Sequence, residues 1–417
     1  MDLKRCLILL CLLTAAAFGA LQVAGRAAAL LTNAKTVAGN SFQLDTLNPP
    51  RAVVVGYSSN TVSWVATTDT YAAGHRVFRA ASSGGPFTQI AEVTPRTTTT
   101  YADNPGPGTF YYVVRSYFQS WESADSSESN TGALRIATGS YVGNATDNRA
   151  VTGADFQPDV VFVKCECGQN AAVRTSTMGG DATKVISNSG ALQADHIQSL
   201  DGDGFTVGTS TRVNQSGDTF HWVAMKTGTH LKVGTYVGDG TDNRSIGGVG
   251  FQPAWVMTMG DGDESWFRPT GLSGDASFRV EGLDTFSNRI QALQADGFQV
   301  GSNVNVNEAG TTFHYIAWKS GAGVVSVGSY TGNGTDSRSI TGVGFQPLFA
   351  WVKRSVNNAG TWRSASVSGG LSLLWDAAAA NNNIQALESD GFQVGTNALV
   401  NTNGGTYYYL ALRDPGP

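Results

Sequence analysis

Aromatic and cationic side chains recur together at three places in this 417-residue chain. Phe220, Trp222 and Lys226 fall on one face of an alternating strand, as do Phe313, Tyr315 and Lys319, and then Tyr407, Tyr409 and Arg413. An aromatic face beside a cation suits stacking on a sugar ring and hydrogen bonding to its hydroxyls. Trp222, Tyr315, Tyr409, Lys226, Lys319 and Arg413 are therefore the candidate ligand-binding residues. The same pattern suits core packing, because both faces of a sandwich strand can be covered, and the sequence leaves the two readings open.

The opposite face of these strands carries His221, His314 and, in the third place, Tyr408. Their alternating neighbours are apolar, so they read as half-buried structural groups. No serine or cysteine motif with a partnered acid and base accompanies them, and catalysis needs several roles within reach of one another. The expectation is a chain that is not an enzyme.

Two carboxylates in the run Gly238-Asp239-Gly240-Thr241-Asp242-Asn243-Arg244 could reach a calcium ion, which takes several oxygen ligands. Asp239 and Asp242 are the candidate metal ligands. The equivalent runs carry Asn144 with Asp147 and Asn333 with Asp336, one charge each. Turn chemistry explains the same residues without a metal, since glycine, asparagine and aspartate supply left-handed positions and side-chain caps. Arg149, Arg244 and Arg338 close these runs; pairing with the turn aspartate is the stronger reading, a receptor contact the other. Cys165 and Cys167 flank Glu166 and have no counterparts in the other copies. A strained or turn-located disulfide and free thiols are both open.

The elements that hold these residues are strands. Glycine is frequent (51 residues) and charge sparse (14%), the mark of short strands joined by glycine-rich turns. A net charge of −5, without a basic stripe, argues against a nucleic-acid partner. Lys4 and Arg5 precede an apolar run from Cys6 to Leu21, and small residues follow to Ala29. That reads as a signal peptide over 1–29, with an uncleaved anchor as the alternative. No later segment is long and apolar enough to span a bilayer, so no transmembrane segment is expected after processing.

A segment of the chain repeats. Gly139-Ser140-Tyr141-Val142-Gly143-Asn144 returns at Gly234 and at Gly328, offsets of 95 and 94 residues. Phe-Gln-Pro at 156, 251 and 345 and Asp-Gly-Phe at 203, 296 and 390 return in step. A period this long suits a complete small domain, so the copies at 138–227, 233–320 and 327–413 are expected to be separate beads. The run Ile290 to Gln294 is read as a strand.

Three resemblances follow from these motifs. Residues 51–135, with Trp64 at the core-tryptophan position and Tyr111 after Gly108-Thr109 as the tyrosine-corner candidate, resemble a fibronectin type III domain. The repeat, with its Gly-x-Tyr, Phe-x-Pro and Asp-Gly-Phe signatures, resembles one found in secreted bacterial surface proteins and phage tail-fibre-like proteins, which implies a lectin-like sandwich. In the leader at 30–50, Gly39-Asn40-Ser41-Phe42 and Thr46-Leu47 resemble camelysin/TasA-type exported proteins, although Leu31-Thr32-Asn33 departs from their pattern.

The expected architecture is all-β: tandem β-sandwich domains, one fibronectin III-like and three lectin-like. The expected role is that of a secreted or cell-surface structural or adhesion protein, with a surface glycan or matrix component as partner and no cofactor other than a possible calcium. The alternatives are a carbohydrate-binding array and an extracellular filament subunit that self-assembles by donor-strand exchange.

Overall fold

The computed structural model describes residues 46–55, 61–82, 84–103, 110–130, 134–186, 190–280, 282, 285–356 and 359–414. The signal segment and most of the leader lie outside them. The chain divides into two compact units, one ending at Thr131 and the other spanning Gly132–Gly416.

The first unit is a sandwich of two antiparallel sheets. One sheet orders β1 (Arg51–Val55), β2 (Thr61–Val65) and β5 (Thr100–Ala102) as β1-β2-β5. The other orders β3 (Gly74–Ala80), β4 (Thr88–Val93), β6 (Tyr111–Phe118) and β7 (Trp121–Glu122) as β4-β3-β6-β7, with β8 (Ser129–Asn130) also on β6. This is the fibronectin type III strand arrangement. Alternation in β2 turns Val62 and Trp64 inward, and Trp64 meets the buried His75 ring edge-on at 5.4 Å. The tyrosine expectation is off by one residue. Tyr112, not Tyr111, is fully buried, and its hydroxyl donates to Asp103 at 2.8 Å; Asp103 also pairs with Arg79. At the start of the unit Leu47 is buried, and Asn48 donates to Asp69 from its backbone (2.6 Å) and its amide (3.1 Å). The last residues of the leader thus belong to this sandwich.

In the second unit each copy is itself a sandwich. The first copy has a five-stranded sheet made of β9 (Arg135–Val142), β11 (Val160–Cys165), β12 (Ala172–Thr175), β13 (Lys184–Val185) and β16 (Thr219–Lys226). A small sheet of β10 (Arg149–Thr152), β14 (Ile197–Asp201) and β15 (Gly204–Val207) covers one face. The other two copies repeat both sheets, with six strands in the larger one. Ile290–Gln294 is a strand, as expected. Three four-residue helical turns, Thr211–Asn214, Val304–Asn307 and Ala398–Asn401, are additions that the sequence pattern did not announce.

The copies are not separate beads. Val160–Cys165, Trp255–Gly260 and the first five residues of Phe349–Arg354 are buried at every position, because both faces of each strand are covered. In Trp255–Gly260 one face, with Val256, packs inside its own sandwich among Phe298, Phe313 and Tyr315. The other face, with Trp255 and Met257, enters a single core shared with Phe162 and Val160 of the first copy and Trp351 and Phe349 of the third. Ring contacts cross the copy boundaries, with Trp255 4.9 Å from Trp351 and Phe162 5.5 Å from Trp375. Runs without alternation, which a lone two-layer sandwich does not need, are the signature of this double burial.

Candidate functional site

The glycine-aspartate turns are locked from beneath by a buried asparagine at the end of each helical turn. Asn214, Asn307 and Asn401 are fully buried. In the second copy Asn307 Oδ1 accepts from the Asp239 amide at 3.0 Å and from Arg244 at 3.0 Å, while its amide donates to the Thr241 carbonyl at 2.8 Å. The first and third copies repeat the set on Asn144, Arg149 and Thr146 and on Asn333, Arg338 and Thr335. Each arginine also donates to a strand carbonyl at 2.6 Å and lies over the tyrosine of its copy, Tyr141, Tyr236 or Tyr330. Among the described residues only Arg244 pairs with its turn aspartate, at 3.2 Å. The expected aspartate partner is therefore replaced by a carbonyl and an amide in the other two copies.

Asp239 and Asp242 are engaged as hydrogen-bond acceptors. Asp239 Oδ1 caps the Thr241 amide and hydroxyl at 2.8 and 2.7 Å, which with Arg244 holds its carboxyl below the usual range. Asp242 takes Gln291 at 2.8 Å and Asn243 at 2.7 Å. Asp147 and Asp336 take Gln198 and Gln385 in the same way. Among the described residues no three acidic, histidine or cysteine groups converge as metal ligands would. The turn reading accounts for these residues.

The aromatic strip is core rather than an open platform. Trp222, Tyr315 and Tyr409 are 4%, 4% and 7% exposed. Each meets the phenylalanine of Asp-Gly-Phe edge-on, at 5.8, 5.3 and 5.5 Å. Gly139, Gly234 and Gly328 make room for them: a Cβ there would lie 2.4, 2.3 and 2.5 Å from the ring or its hydroxyl. This explains the repeated glycine before tyrosine. The other glycine signature is conformational. Gly204, Gly297 and Gly391 hold φ of 134°, 141° and 131° against a facing carbonyl, which only glycine tolerates. The preceding aspartates accept from loop amides, as Asp296 does from Gly248 (3.0 Å) and Gly250 (2.6 Å). The three cations separate: Lys226 pairs with Asp159 at 3.3 Å, Lys319 sits 6.0 Å over Phe251, and Arg413 is exposed.

The histidine face borders the seams between copies. His221 Nδ1 lies 3.1 Å from Ser366 Oγ of the third copy, and its Nε2 lies 3.0 Å from Glu166. The order of contacts matches a nucleophile, base and acid. Yet the ring is buried, the hydroxyl comes from the neighbouring copy, and the same place in the second copy pairs His314 with Thr177 of the first. These contacts act as stitches. Beside them Lys164 is fully buried and donates to the carbonyls of Cys165 (2.6 Å) and Cys167 (2.7 Å); burial pushes its pKa down to about 8. Cys165 and Cys167 are joined as a disulfide with Cα atoms 5.0 Å apart. Cys167 lies past the end of β11, so the bridge is located in a turn.

Sequence reasoning missed a second buried cation set. Arg174, Arg268 and Arg363 are buried and each donates to carbonyls four, six and eight residues on, Arg174 also to Ile197 at 3.3 Å. The signal was an arginine recurring in register with the other motifs.

A cleft of about 930 Å³ opens at the base of the third copy, lined by Gln346, Pro347, Leu348, Gln385, Ser389 and Arg413 among others. Arg363 and Asp414 also reach it. In the first copy the equivalent floor position is Asp159, which binds Thr227 (2.9 and 2.7 Å) and Lys226 and fills that place with an internal ion pair. In the third copy Leu348 stands there.

Known proteins resemble parts of this arrangement. The family described as Domain of unknown function (DUF7483) matches residues 135–230 and 326–413, the first and third copies. The middle copy lies outside the match but has the same paired sheets. A solved Fn3-like protein from Clostridium thermocellum is 30% identical, over 21% of this chain and 92% of that one, with a TM-score of 0.18. No curated protein matches the chain significantly.

Proposed function

We propose that this chain is an extracellular, non-catalytic structural or adhesive protein, with the three copies as one rigid head and the fibronectin-like unit as a spacer. The shared core carries this reading. Three sandwiches that bury their inner faces together form one stiff body, and each still turns an outward loop, locked on its buried asparagine, toward solvent. The amino-terminal basic and apolar residues support export. Recognition of a glycan through the aromatic strip is set aside, since those rings are spent on packing. The test is retention of the purified chain on cell-envelope and extracellular-matrix polymer fractions. Saturable retention that the residue 132–416 unit reproduces is expected, and a chain that washes through every fraction would sink the proposal.

A further inference from the structure

The cleft in the third copy differs from its counterparts in charge. Arg363 donates only to the carbonyls of Leu371, Val367 (2.8 Å) and Gly369 (2.7 Å), so its positive charge is not neutralised. Arg413 is exposed at the rim, and among the described residues neither arginine is ion-paired. The acid that lines the cleft, Asp414, is turned to Arg135 of the first copy at 3.0 Å. Asp390, which neighbours Ser389, is held by the amides of Gly342 (3.0 Å) and Gly344 (2.7 Å). Where the first copy has Asp159 paired to Lys226, the third has Leu348 and an unpaired Arg413. The second copy has Ala254 there, with Lys319 over Phe251. The third cleft thus combines a cationic rim with an apolar floor, in a chain of net charge −5.

We propose that this cleft binds a carboxylate-bearing sugar unit of an acidic polysaccharide. A guanidinium is matched to a carboxylate by its paired N–H groups. Pro347, Leu348 and Leu387 offer an apolar floor for the C–H face of a pyranose; the Gln346 amide donates to the Leu387 carbonyl at 3.1 Å and turns its remaining polar atoms, with the exposed Ser389 hydroxyl, to the sugar's oxygens. The volume, about 930 Å³, is that of a site for a small organic ligand rather than a bare ion. The assignment names the partner of the adhesive head and rests on that reading.

The test is calorimetric titration of the full chain with trigalacturonate, with neutral maltotriose and inorganic phosphate as separate arms. One site per chain is expected, weakened at least tenfold by Arg413→Gln and by Leu348→Trp, which fills the floor. Lys226→Gln, at the matching place in the first copy, should leave binding unchanged. Equal binding of maltotriose overturns the role of charge, and equal binding of phosphate overturns the sugar. Three equivalent sites, or an Arg413→Gln variant that binds normally, overturns the location. Retention on envelope fractions without trigalacturonate binding removes the cleft assignment alone. Trigalacturonate binding without retention removes the adhesive reading and leaves the cleft.

Discussion

Thr177 Oγ1 lies 2.8 Å from His314 Nδ1, although 137 residues separate them and they belong to different copies. Ser366 and His221 repeat the pair at 3.1 Å across the seam between the third copy and the first. At the remaining seam the hydroxyl position is Gly271 and the histidine position is Tyr408, whose ring meets Phe278 of the second copy at 5.6 Å. Gly271 holds φ of 80° and a Cβ there would meet nothing within 4 Å, so this seam is closed by Tyr408 against Phe278 rather than by a hydroxyl–imidazole pair. Three seams close the copies into a ring.

Matched seams should show coupling. His314→Tyr alone sets a larger ring against Thr177 and is expected to destabilise the unit. Adding Thr177→Ala makes room and should recover part of the loss. Contacting residues typically couple by about 0.5–3 kcal/mol. Urea unfolding of the four proteins in the cycle gives the coupling; strictly additive effects would refute the matched seam.

The shared core sets how the unit unfolds. Trp351 is fully buried and touches Trp255 of the second copy. Trp351→Ala should cost about 3–5 kcal/mol, as for other buried aromatics, and the loss should appear in all three copies at once. Hydrogen exchange resolved by peptide checks this. Loss of protection confined to the third copy would restore the beads. For the same reason a fragment of residues 138–227 should not fold as a monomer, because Val160 and Phe162 would face water.

The sheets were legible because strand periodicity, turn residues and repeat register are local. Trp64, the strand at Ile290–Gln294 and the closing aromatic strands all fell where expected. The partners of the second strand face were not legible. Alternation separates Trp222 from His221, but it cannot say which face meets its own small sheet and which meets another copy. The unbroken apolar run Val160-Val161-Phe162-Val163 held that information, and reading it as a strand inside one bead lost it. Arg413 follows the aromatic strip in sequence but not in burial: the strip is buried, while Arg413 is exposed and lines a cleft with Leu348, where the first copy pairs Lys226 with Asp159.

The buried asparagines should matter more than the aspartates they support. Asn307→Ala removes an acceptor for the Asp239 amide and for Arg244 and a donor to the Thr241 carbonyl. Groups left unpaired at such a site cost about 1–3 kcal/mol. Asp242→Asn keeps an acceptor for Gln291 and should stay within about 0.5 kcal/mol of the parent, as surface changes usually do. Thermal unfolding of both variants decides the order, and a larger effect for Asp242→Asn would show that the turn is held by charge.

Asp263 gives the seam between the first two copies a pH dependence. Burial raises its pKa to about 6, with Glu308 adding to the rise and Lys184 opposing it; Glu264 and Asp261 also push it upward. Lys184, from the first copy, donates to the Asp263 carbonyl and to Gly260 (2.9 Å), so the group sits on the junction itself. The folded state therefore holds this proton more tightly than the unfolded chain, whose value is near 3.8. The stability that Asp263 contributes is fully present below about 3.8 and is lost as pH rises to about 6. Asp263→Asn removes this titration and little else. Its stability relative to the parent should be lowest near pH 3.5, climb between pH 4 and 6, and level off above pH 6.5. Urea midpoints of the two proteins across that range measure the difference. A difference that stays flat, or that shrinks as pH rises, would show that the Asp263 carboxyl is solvated in the folded protein and that the seam is indifferent to its charge.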